Sequence, residues 1–71
     1  MKVLRFTTNL DVEADYETIQ SLLHEEKKIH WWNLEKRAKH TELVIVCDDL
    51  NKDNIEAIVT ASGFECKSMD E

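Results

Sequence analysis

Residues 29–47 read "IHWWNLEKRAKHTELVIVC", and the fold turns on how this stretch is divided. Its first eight residues alternate, with Trp32 and Leu34 on one side and Trp31 and Asn33 on the other, the pattern of a half-buried strand. "EKRAKHTE" is a polar connector without the Asn-Gly pair of a two-residue turn, so a longer hairpin loop is expected. "LVIVCD" is β-branched and mostly apolar, which suits a central strand. The middle of the chain is therefore two strands in succession, joined directly and with no helix between them.

Each flank of this hairpin pairs one strand with one helix. Upstream, "MKVLRFTT" alternates, with Leu4 and Phe6 opposite Val3, Arg5 and Thr7. Val12, Tyr16, Ile19, Leu22 and Leu23 then recur at helical spacing, which predicts a helix from about Val12 to Lys28. Asp11 is its expected N-cap, Glu13 and Asp15 fall in the first turn, and Lys27 and Lys28 fall in the last, as the helix dipole favours. Downstream, "NKDNIEAIVTASGF" reads as a second helix, with Asn51 as cap, Ile55, Ile58, Val59 and Ser62 as the buried stripe, and Gly63 as terminator. "FECKSM" is a short last strand. The order β-α-β-β-α-β predicts a ferredoxin-like α+β sandwich: a four-stranded antiparallel sheet with two helices on one face. The other sheet face stays open to water and carries Val3, Arg5, Trp31 and Asn33.

Bulk properties narrow the functional classes. The chain has 71 residues and reads as a single domain, 1–71. A domain of this size buries only about 60% of the surface of its unfolded chain, which leaves little room for a deep catalytic cavity. A hydrophobic fraction of 42% with 34% charge is that of a folded domain rather than a disordered tail. The net charge of −6 argues against nucleic acid and against an anionic membrane as partners. No apolar run has the length of a membrane span and the N-terminus lacks a signal-peptide h-region, so a cytoplasmic location is expected, with Cys47 and Cys66 as reduced thiols.

No pattern for catalysis stands out. Ser21, Ser62 and Ser68 are not in a nucleophile elbow, and Asp48-Asp49 lies in a loop. The chain is expected not to be an enzyme. His24, His30 and His40 lack metal-site spacing and read as solvated. Asp11, Glu13 and Asp15 lack the glycine of a calcium loop and read as ordinary acids at a helix start. Trp31 and Trp32 are adjacent and must face opposite ways, which leaves Trp31 beside Arg5 on the open face. An exposed tryptophan is a candidate interaction residue.

With these elements in place, the chain resembles the heavy-metal-associated domains of copper chaperones and of the N-terminal modules of copper-transporting ATPases. Ile19 and Leu23 stand at that family's first-helix core positions, Trp32, Leu34 and Glu35 match its second strand, and "IEAIVTASGFEC" matches its last helix with Gly63-Phe64 in register. The family motif Met-x-Cys-x-x-Cys falls on Leu10, Val12 and Asp15. The resemblance thus implies the scaffold. The soft thiolates that hold copper(I) are replaced by Val12, which cannot bind metal, and by Asp15, a hard oxygen donor. No metal site and no cofactor is expected. The first expectation is an interaction module that meets an unidentified protein partner through Trp31 and Arg5 or through a strand edge, with weak homodimerisation as a variant of it. The alternative is a metal-binding or metal-transport protein with non-standard ligands drawn from Asp11, Glu13, Asp15 or His24, or with a cysteine supplied by a partner. A third reading is a small-molecule regulatory domain of similar fold.

Overall fold

A computed structural model describes residues 1–69. Its elements run β1 (Lys2–Thr8), α1 (Tyr16–His24), β2 (Ile29–Lys36), β3 (Thr41–Cys47), α2 (Lys52–Thr60) and β4 (Cys66–Ser68). The strands form one antiparallel sheet in the order β2-β3-β1-β4, the ferredoxin-like arrangement. The strand rich in branched apolar residues, β3, has a neighbour on each side, as its composition demands.

Pleating sorts the side chains. Leu4, Phe6, Leu43, Ile45 and Cys47 face the helices and are buried with Ile19 and Leu23 of α1 and Ile55 and Val59 of α2. Trp32, Leu34, Ile58 and Phe64 are partly buried around this centre. Trp32 also meets the ring of Tyr16, with centroids 5.3 Å apart and planes at 41°, which ties the start of α1 to β2.

Helix α1 is shorter than the apolar period suggested, and the acids at its start explain the difference. Asp11 Oδ1 accepts from the N–H groups of Glu13 and Ala14, both at 2.8 Å, and Asp15 Oδ2 accepts from Asp11 N–H at 2.8 Å. Residues 11–15 thereby close into a separate turn. Asp11 caps that turn, and Asp15, at φ −102° and ψ 3°, takes the cap position of α1 without a side-chain cap bond. At the other end the helix stops at His24, and Lys27 and Lys28 lie beyond it. After Leu23 the next apolar residue is Ile29, so nothing would hold another helical turn against the sheet.

The start of α2 follows expectation. Asn51 Oδ1 accepts from Asn54 N–H and Asn54 Oδ1 accepts from Asn51 N–H, each at 3.0 Å, a reciprocal capping box. Asn51→Ala should cost about 1 kcal/mol of stability, measured by urea unfolding, and Asn51→Asp should restore it. The other end departs from the expected stripe: α2 ends at Thr60, the chain turns through Gly63 at φ +92°, and Ser62 is exposed rather than buried. Among the described residues, no helix is long and apolar enough to cross a membrane.

Candidate functional site

The sheet face away from the helices is the surface that sequence reasoning singled out. Register fixes its rows. Trp31 lies opposite Val46, and Val46 lies opposite Val3, so three apolar side chains cross β2, β3 and β1 side by side. Trp31 is 54% exposed and Val3 57%, far more than interior residues of the same types. The next row is Asn33, Val44 and Arg5, and the one after it Glu35, Glu42 and Thr7.

Arg5 therefore does not sit beside Trp31. It is two strands away and one row along, and its Nη1 donates to Glu42 Oε2 at 3.0 Å. Glu42 also accepts from Arg37 Nε at 3.0 Å and Arg37 Nη2 at 2.7 Å, and the same Nη2 donates to Glu35 Oε1 at 2.6 Å. The cross-strand pair of Glu35 and Glu42 would repel unaided, and Arg37 bridges it. The Glu42 side chain is only 5% exposed although its sheet face has no helix over it, because the arms of the two arginines cover it. The Arg37 hydrogen bond holds its carboxyl below the usual range, with help from Arg5 and against the opposing effect of burial.

Sequence reasoning missed Glu42 and Arg37. A glutamate at the entrance to an apolar strand carries no motif, and its two partners are known only once β1, β3 and the hairpin are in register.

At the motif-equivalent corner, Val12 and Asp15 are both half-buried, and the Asp11 and Asp15 carboxylates are engaged by backbone N–H groups. Those bonds lower the Asp11 pKa, led by the one from Ala14. Glu13 is exposed. His24 ends α1, about 13 Å along the axis from Asp15 at 1.5 Å per residue. Among the described residues, no three His, Cys, Asp or Glu side chains are grouped so as to hold a metal ion. His30 lies elsewhere and pairs with Asp48, Nε2 to Oδ2 at 2.6 Å.

Both cysteines are free thiols. Cys47 lies opposite Lys2 and Cys66 opposite Thr8, so they sit at opposite ends of β1 as well as on opposite sides of it. Burial, with Glu56 adding to it, pushes the Cys66 thiol up to about 12, and burial also raises Cys47. Burial thus disfavours the thiolate at both cysteines.

Comparison of the chain with protein-family models, with curated proteins and with solved structures finds no match.

Proposed function

We propose that this domain is a non-enzymatic interaction module that binds another protein through its uncovered sheet face, with Trp31 as the anchor. One observation carries the reading: a tryptophan 54% exposed just after the register shift between Ile29 and Trp31 in β2, in a continuous row with Val46 and the exposed Val3. Such a row loses apolar hydration when a partner covers it, and tryptophan is prominent among residues that dominate binding energy. The Glu35–Arg37–Glu42–Arg5 network borders the row and supplies a polar rim. The resemblance to heavy-metal-associated domains supports the same reading, as a shared scaffold whose ligand positions are filled by Val12 and Asp15.

Trp31→Ala should leave the thermal transition by circular dichroism within a few degrees of the parent, because the side chain contributes little to the core. It should weaken capture of a partner, or self-association by sedimentation, by about tenfold or more. Lys52→Ala, on the first residue of α2, is the control and should change neither. Unfolding of the Trp31 variant would make that residue structural, and unchanged association would end the proposal. Copper(I) titration gives a third outcome: saturable binding that shifts the amides of residues 10–15 would replace this reading with a metal carrier using non-standard ligands.

A further inference from the structure

We propose that the hairpin end of the sheet holds a second site, a groove that binds a small molecule bearing phosphate groups. The groove has a volume of about 810 Å³, within the usual range for small-molecule sites. It is assembled from the end of β1 with Asn9, the β2–β3 hairpin, Thr60 at the end of α2, and the start of β4.

Its charge is opposite to that of the chain. Lys36, Arg37, Lys39 and Lys67 line it against one acid, Glu65, a formal +3. The whole sequence carries −6, so its other residues together carry −9. Arg37 is already engaged by Glu35 and Glu42. Lys36, Lys39 and Lys67 come from three different segments, and among the described residues no carboxylate lies within ion-pair distance of any of them. Asp11 lies near enough for Lys36 to lower its pKa, but its carboxylate is engaged by the Glu13 and Ala14 N–H groups. Asn9 adds neutral donors: its Oδ1 accepts from Glu65 N–H at 2.9 Å, which leaves the NH2 of the same amide for a ligand.

A lining of formal +3 in a chain of −6 favours a multiply charged anion. Lysine is a regular phosphate ligand, and a concave wall of one sign concentrates the field. The surrounding −9 disfavours a long polyanion, whose backbone would run out over the acidic surface, so a small ligand fits and a nucleic acid does not.

The test is an amide-resolved titration of the full chain with inorganic pyrophosphate, beside citrate and sodium chloride at matched ionic strength. Pyrophosphate should give saturable shifts centred on Thr8, Asn9, Lys39 and Lys67. The Lys39→Ala/Lys67→Ala double variant should bind at least about tenfold more weakly, from the loss of two charge-assisted contacts. Lys39→Ala alone, confined to the hairpin loop, should lose less and changes no strand residue. Lys27→Ala/Lys28→Ala, at the other end of the sheet, should bind like the parent. Shifts that merely track ionic strength, parent-like affinity in the Lys39 variants, or shifts centred on Lys27 and Lys28 would each overturn the site. Citrate binding as tight as pyrophosphate would overturn its assignment to phosphate. None of these outcomes depends on Trp31.

Discussion

Ile19→Ala should lower the unfolding free energy by about 2–5 kcal/mol. Ile19 is fully buried on α1 and belongs to the cluster that joins Phe6, Leu43 and Ile45 of the sheet to Ile55 and Val59 of α2. Truncation removes apolar contacts and leaves a cavity, and α1 is held at only two fully buried positions, Ile19 and Leu23. For 71 residues, a total stability of about 4–11 kcal/mol is ordinary, so the loss is a large share of the whole. Urea unfolding followed by circular dichroism measures it. Val3→Ala, on the exposed row, is the matched control and should stay within about 0.5 kcal/mol of the parent. A negligible change at Ile19, or equal losses at the two positions, would mean that the assignment of faces is wrong.

That contrast between Ile19 and Val3 is also the part of the fold most legible in the sequence. Alternation sorts Trp31 to Lys36 of β2 correctly but not Ile29, which a register shift turns to the core side, and the helical period picks out Ile19, Leu23, Ile55 and Val59. Asn51 is legible as a cap because its partner Asn54 is three residues away. Legibility fails where the deciding contacts are not periodic. The apolar period runs through Val12, but the Asp11–Asp15 hydrogen bonds fold residues 11–15 into their own turn before α1 begins. It fails again where partners are remote in sequence. Arg5 and Glu42 are 37 residues apart, and only the β1–β3 register brings them together. The same register separates Arg5 from Trp31, a pairing that alternation by itself could not deny. The lysines of the groove come from the end of β2, the hairpin loop and β4, so no window of sequence contains the site.

Glu42→Gln should cost about 1–3 kcal/mol at neutral pH, the range for hydrogen bonds to charged groups. The substitution keeps the shape of the side chain and removes its charge. Glu42 accepts three hydrogen bonds from two arginines, and a glutamine has one acceptor oxygen and an NH2 that would face a guanidinium donor. The arginines are about half exposed, which keeps the cost below that of a fully buried pair. The pH dependence gives a second check with a definite sign. Folding lowers the Glu42 pKa from its ordinary 4.5, chiefly through Arg37. The folded state therefore binds this proton less readily than the unfolded state. Its contribution is complete above the ordinary value and is lost as pH falls through the lower folded value. Asp11 and Asp48, whose pKa values are also lowered, act alike in both proteins and cancel in the difference. The gap between parent and variant, read from urea midpoints, should be widest near neutral pH and narrow as pH falls below the ordinary value of 4.5. A gap that stays constant across that range would assign the loss to packing rather than charge, and no gap at all would show that the network covering the sheet face does not stabilise the fold.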